Sequence, residues 1–330
     1  MRRSTFLASG AAALAIAARA RAQDDVDPSR ESAHQSLRVL LGSGDAANAP
    51  GDTFTFDGRL YRGTYQRTAD GRIVNLVDLE EYLYSVVSRE MPPAWPPAAL
   101  ETQAICARTY VLQRSDPRRE YDLVPSELDQ VYDGIAGETP SGVAAVDATE
   151  GRVLTYGSAF AQVAYSSCCG GHTESSSDAW GSVSVPYLSG VVCTSCTASP
   201  NYRWSRTLAL DVIGARLAAS LPPLGRLTGV TIGERDASGR ARSLVMNTDR
   251  GSVAVGGSAF RRGIGTRVLP SLLLASVEQS GGGAIAIAGG GLGHGVGLCQ
   301  WGARGMALAG SEAPAIVSAY FPGTALHDLR

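Results

Sequence analysis

Lysine is missing altogether: none of the 330 residues is one, so all 29 basic side chains are arginine. That excludes a lysine Schiff base and a P-loop, both of which need the amine. Charge is sparse as well, at 18% of residues with a formal net charge of −2. No basic patch interleaved with aromatics is present, so a nucleic-acid partner is not expected. Beyond the N-terminus no apolar run is long enough to span a bilayer. The Gly-x-Ser-x-Gly elbow of many serine hydrolases is absent, and so is any internal repeat.

What is there begins with a segment that reads as an export signal over residues 1–22. Arg2 and Arg3 form its basic start, Leu7 to Ala18 its Ala-rich apolar stretch, and Ala20-Arg21-Ala22 a small-x-small cleavage site. Removing it takes away Arg2, Arg3, Arg19 and Arg21 and no acid, which moves the net charge from −2 to −6. The expected location is outside the cytoplasm, in the periplasm or cell envelope, with no membrane span retained. Residues 23–36 read as a flexible lead-in. Residues 37–330 then form one region with room for two subdomains, the more β-rich part near 225–290. The 39 glycines and the low charge fit a chain with many turns and strands.

The coarse elements are a strand over Leu37–Leu41, strand-like pieces from Phe54 to Val77 with turns at Asp57-Gly58 and Asp70-Gly71, and helices over Leu79–Glu90 and Ala98–Arg114. Another helix is expected within Ala136–Glu150, strands over Arg152–Tyr156 and Ala161–Ser166, and a loop-rich stretch over Ser177–Tyr202. A helix over Thr207–Ala219, a meander over Gly229–Gly256, a glycine-rich stretch over Gly281–Gly293 and two closing helices, Trp301–Ala309 and Ala313–Tyr320, complete a mixed α+β reading.

Six cysteines are present. In an oxidising compartment Cys168, Cys169, Cys193 and Cys196 read first as disulfide partners. A four-cysteine zinc site is the rival, with free thiols a third reading. Cys193-x-x-Cys196 has zinc-knuckle spacing, but an adjacent Cys-Cys pair does not. Neither zinc nor any other cofactor is expected. Cys106 and Cys299 read as packing residues.

Glu90 is the residue of greatest chemical interest. Leu79, Tyr82, Leu83, Val86 and Val87 form one helical stripe, and Glu90 continues it just before Met91-Pro92-Pro93 ends the helix. A carboxyl at a helix end, on the inward face, meets both burial and the negative end of the helix dipole. Each favours the protonated form that a general acid near neutral pH requires. The alternative is a rim residue that turns to solvent as the helix frays. Gln103 interrupts the inward stripe of the next helix, either as a binding amide or as a satisfied core residue. The other unusual polar side chains are Arg108, Ser166, His172, His294 and Gln300. His172 precedes Thr173-Glu174, and His294 is bracketed by glycines. The two histidines and Glu174 lack metal-ligand spacing, so no metal is expected on them.

Three segments carry a resemblance: LEEYLYSVVSREMPPAWPPAALETQAICARTYVL (Leu79–Leu112), CGGHTE (Cys169–Glu174), and GLGHGVGLCQWGARGMALAG (Gly291–Gly310) followed by YFPGT (Tyr320–Thr324). In order and spacing they resemble the SpoIID family, stage II sporulation protein D and its amidase-enhancer relatives, over roughly Leu37 to the end. The resemblance implies a β-rich α+β fold in which a helical pair carries a catalytic Glu, here Glu90. It also implies lytic transglycosylase activity on peptidoglycan glycan strands stripped of stem peptides, or alternatively glycan binding that stimulates a cell-wall amidase. Gln103, Arg108, Ser166, His172, His294 and Gln300 become candidates for binding and orienting the glycan. One departure stands out. Some sporulation members carry zinc ligands in one segment, a Cys followed by a His-Cys pair; here the resemblance sets Val124, Leu128 and Asp129 in their place, while Gln130-Val131-Tyr132 keeps the tail that follows.

Overall fold

A computed structural model describes residues 35–126, 128–218 and 225–329. The export signal and most of the lead-in lie outside the described residues. The chain forms two compact units. One is built from the residues up to Ala164 together with those from Met306 onward, and the other from Tyr165–Gly305. Both mix helices with small sheets, so the α+β class holds.

The first unit opens with β1 (Ser36–Gly42), which starts inside the expected lead-in. β2 (Ala46–Ala49), β3 (Thr53–Phe56) and β4 (Arg59–Arg62) form an antiparallel sheet in that order. Asp57 and Gly58 both have positive φ, as a two-residue primed hairpin turn between β3 and β4 requires. β5 (Thr64–Arg67) and β6 (Ile73–Asp78) complete a second sheet, ordered β1-β6-β5. Asp78 ends β6 and caps α1 (Leu79–Glu90), its carboxylate accepting from the Glu80 amide at 2.8 Å. Met91 is extended, as a residue before proline prefers, and α1 stops there.

α2 (Pro97–Arg114) begins on a proline at its first turn and buries Leu100, Ala104, Ala107 and Val111. α3 (Pro140–Asp147) is shorter than the Ala136–Glu150 expectation, because a separate 3₁₀ turn takes Gly134–Gly137. Gly142 of α3 sits so close to the Ser88 hydroxyl that a Cβ would collide with it, and this lets α3 lie directly on α1. β7 (Arg152–Tyr156) and β8 (Ala159–Phe160) pair as a hairpin.

The second unit starts at β9 (Tyr165–Ser166); the rest of the expected Ala161–Ser166 strand is irregular. A short helix, α4 (Ser176–Trp180), and a 3₁₀ turn, Pro186–Leu188, lie in a long stretch otherwise without regular structure. β10 (Trp204–Ala209) then leads into α5 (Leu210–Leu217). The helix expected from Thr207 therefore begins three residues late, because Thr207, Leu208 and Ala209 pair with Ala286, Ile285 and Ala284.

β11 (Leu227–Ile232), β12 (Ser243–Thr248) and β13 (Gly251–Gly256) form the expected meander. α6 (Gly257–Ile264) and β14 (Leu273–Gln279) follow. β15 (Ala284–Gly290) occupies most of the glycine-rich stretch and is the centre of the sheet β10-β15-β14. Ile213, Leu244, Met246, Phe260, Ile285 and Ile287 meet in one buried core. β16 (Leu298–Cys299) pairs parallel with β9, and α7 (Gln300–Leu308) carries the chain out of this unit.

Back in the first unit, α8 (Ala313–Tyr320) packs on α2, and β17 (Ala325–Asp328) adds to β7, giving the order β17-β7-β8. Among the described residues no helix is long and apolar enough to cross a membrane.

Candidate active site

Glu90 closes α1 half-buried, between an inward stripe and an exposed Arg89. The Val131 amide donates to its Oε1 at 3.0 Å. That amide is itself fixed from both sides. Gln130 is fully buried, accepts from the Tyr82 hydroxyl on α1 at 3.1 Å and donates to the Ala107 carbonyl on α2 at 3.3 Å. The Tyr132 hydroxyl donates to Asn75 on β6 at 2.8 Å, and its ring lies 4.8 Å from that of Tyr82. The Asp133 amide donates to Ser85 at 3.1 Å, and its carboxylate pairs with Arg89 at 2.8 Å. The segment Gln130–Asp133 thus runs along α1 and aims one N–H at the Glu90 carboxylate.

Just upstream, Asp129 fixes the loop that leads into this segment. Its carboxylate accepts from the Val124 amide at 2.9 Å and the Tyr110 hydroxyl at 3.0 Å, and pairs with Arg114 at 2.9 Å. One carboxylate thus ties the loop to both α2 and its own backbone. Sequence reasoning passed over Gln130 and Val131 as positioning groups; the retained Gln-Val-Tyr tail was the signal.

Gln103 is fully buried on α2. Arg108, expected to face the glycan, has another task. Its side chain has no exposed surface. Nε donates to Glu80 Oε1 at 2.6 Å, Nη2 to Glu80 Oε2 at 2.5 Å, and Nη1 to the Arg152 carbonyl at 3.0 Å. Arg108 joins α1, α2 and the start of β7 from within.

Ser166, His172, His294 and Gln300 all belong to the second unit. Parallel pairing of β9 with β16 sets Cys299 beside Ser166 and Leu298 beside Tyr165. The glycine loop before β16 folds back along the same segment. Cys168 and Leu292 exchange backbone hydrogen bonds at 3.1 and 2.8 Å, and the Glu174 amide donates to Gly295 O at 2.9 Å. The Gly295 amide donates to the Ser166 hydroxyl at 3.2 Å. Gly293 has φ +108°, and a Cβ there would stand 2.7 Å from that of Ser166, so only glycine fits. Gln300 follows β16 at the start of α7 and is buried. His172 lies six residues beyond Ser166, beside Val192, its Nδ1 2.6 Å from the Thr173 carbonyl.

His294 Nδ1 accepts the Val296 amide at 2.9 Å, which leaves the ring proton on Nε2 when the ring is neutral. Burial pushes its pKa down to about 4, against a hydrogen bond to the Tyr165 backbone, so the ring is neutral at pH 7. Trp180 lies 5.3 Å away, ring to ring. Glu174 is almost fully buried. Burial raises its pKa to about 7, with Asp236 adding to the shift, while the Ser238 hydroxyl, Arg240 and the Ser175 amide oppose it.

Residues 67–156, which contain Glu90, match the family described as stage II sporulation protein, SpoIID. Residues 194–297 match a second family, described only as a domain of unknown function, DUF8618. Over 285 residues the chain is 32% identical to an uncharacterised protein of Brachyspira hyodysenteriae, covering 84% of this chain and 75% of that one. It is 29% identical over 282 residues to stage II sporulation protein D of Bacillus amyloliquefaciens, covering 79% and 77%. It is 30% identical over 294 residues to the amidase enhancer of Bacillus subtilis, covering 74% of this chain but 40% of that longer protein. The chain belongs to the SpoIID family.

Proposed function

We propose that the protein is an exported peptidoglycan lytic transglycosylase that cleaves MurNAc-GlcNAc bonds in peptide-stripped glycan strands, with Glu90 as its general acid and base. The observation that carries this reading is the Glu90 carboxyl at the end of α1, held by the Val131 amide at 3.0 Å inside the stretch that matches the family. Protonated Glu90 gives its proton to the glycosidic oxygen as the bond to C1 breaks and an oxocarbenium-like state forms. The resulting carboxylate takes the proton of the C6 hydroxyl on the same MurNAc, and O6 closes on C1 as a 1,6-anhydro ring. The nucleophile comes from the substrate, so one carboxyl suffices where most glycosidases use two. Ser166, His172, His294 and Gln300 are proposed to bind and orient the strand.

A second reading is favoured by the relative named amidase enhancer: the protein binds glycan, stimulates a cell-wall amidase and cleaves nothing. The two part in one experiment. Purified mature protein and its Glu90→Gln variant are incubated with peptide-free strands, and the products are read by mass spectrometry. Anhydro-MurNAc ends from the wild type alone support the transglycosylase. Bound but intact glycan with both proteins refutes it in favour of the enhancer.

A further inference from the structure

Four of the six cysteines converge in the second unit. The Sγ atoms of Cys169, Cys193, Cys196 and Cys299 all lie within 4.8 Å of one another, and all four residues are buried. The sequence alone presents three of them as disulfide partners and the fourth, Cys299, as a packing residue. Parallel pairing of β16 with β9 brings it in from 130 residues away, with the Cys169 amide donating to its Sγ at 3.2 Å.

The spacing fits a tetrahedral metal centre. Four Zn–S bonds of about 2.3 Å at tetrahedral angles give sulfur–sulfur edges of about 3.8 Å. Cys169 Sγ and Cys196 Sγ are 3.7 Å apart. A disulfide draws one pair of sulfurs to about 2.05 Å and gives no reason for a second pair to share the same point. Cys168 lies beside the set, within reach of Cys196 and Cys299, as a fifth thiol that a tetrahedral centre does not use.

The surroundings support the ligands. Cys193-Thr194-Ser195-Cys196 forms a knuckle tied to the Cys169 segment by the Cys193 amide, which donates to Gly171 O at 2.9 Å. Arg240 Nη2 donates to the Cys169 carbonyl at 2.8 Å, setting a buried cation beside a centre that four thiolates would make anionic. Gly305 of α7 lies against the Ser195 carbonyl with no room for a Cβ, so the helix after Cys299 rests on the knuckle. The segment between β9 and β10 has little regular structure of its own, and a metal clip supplies the cross-linking that such a segment lacks.

We propose that Cys169, Cys193, Cys196 and Cys299 bind one zinc ion, with no coordination position left for substrate, and that it locks the β9, knuckle and β16 segments together. The four thiols give up four protons as it binds. The site differs from the Asp129 loop, and the proposal stands independently of the transglycosylase reading.

The test uses the full mature chain purified without added reductant or chelator. Metal is counted by plasma mass spectrometry, and zinc is exchanged for cobalt(II) to read the tetrahedral thiolate bands. Free thiols and disulfides are mapped on non-reduced peptides. The expected result is one zinc per chain, a tetrahedral cobalt–thiolate spectrum, loss of metal in Cys299→Ser and its retention in Cys106→Ala. Should Cys299→Ser fail to fold, the wild-type stoichiometry and cobalt spectrum decide alone. Metal-free wild type with disulfides among these cysteines would overturn the proposal, as would full metal retention by a folded Cys299→Ser variant.

Discussion

Replacing Arg108 with methionine should cost the first unit roughly 3–5 kcal/mol, the range for removing one partner of a buried ion pair. The guanidinium gives Glu80 two hydrogen bonds, at 2.6 and 2.5 Å, with side-chain exposures of 0% and 5%. The variant leaves the Glu80 carboxylate enclosed with the Gly151 amide at 3.4 Å as a weak remaining donor. It also takes the donor from the carbonyls of Arg152 and Val146. Against a total stability of about 5–15 kcal/mol, the loss would be large enough to move a urea midpoint plainly.

The double variant Glu80→Met, Arg108→Met removes both charges and should recover much of the loss. A remainder of about 1 kcal/mol would persist for the Arg152 carbonyl, since Val146 O keeps the Thr149 amide at 3.0 Å. Urea unfolding of the wild type, both single variants and the double variant closes the cycle. An Arg108→Met variant within about 1 kcal/mol of wild type would refute the argument. So would a double variant no more stable than the singles. Loss of glycan binding by a stable Arg108→Met variant would restore the binding role that the sequence suggested.

Other predictions test other links. Gln130→Met removes the bridge from Tyr82 to Ala107 and loosens the amide that holds Glu90. Under the proposed function kcat should fall by roughly tenfold or more with little change in KM, since small misplacements of a reacting group are costly; a selective rise in KM would count against a positioning role. Glu174 has a folded-state pKa of about 7, above its ordinary 4.5, so its protonated form stabilises the fold at low pH. That contribution is complete below about 4.5, fades as pH rises through 7, and amounts to roughly 3 kcal/mol at most. Glu174→Gln should therefore gain stability relative to wild type between pH 5 and 8, and an unchanged difference across thermal melts in that range would refute it.

The first helical pair was legible because every local signal agreed. An apolar stripe and the Met91-Pro92 stop delimit α1, and the prolines before Ala98 open α2; the Asp78 cap emerges only from the structure. The same reading placed Glu90 at its helix end. What failed was decided by partners far away in sequence. Thr207–Ala209 looked helical but became strand through pairing with Ala284–Ala286. Gly281–Gly293 read only as a glycine-rich stretch, yet Ala284–Gly290 is a central strand. Its small residues leave room for neighbours: a Cβ on Gly289 would collide with the Trp204 ring.

Arg108 resembled a ligand-binding arginine because nothing local reveals that Glu80, 28 positions earlier, faces it. Cys299 resembled a packing thiol for the same reason. Its surroundings depend on a two-residue parallel pairing that no local pattern encodes.

The second unit is inserted within the first, and this orders events during synthesis. β7 waits for β17, whose Asp328 pairs with Arg152, and α2 waits for α8. Residues 165–305 have by then left the ribosome with all their sheet partners. If this segment collapses first, it replaces a long slack loop with a short rigid bridge, which lowers the chain entropy lost in closing β7 onto β17. Released chains truncated before Ala325 should hold a folded second unit beside a first unit still open to proteases.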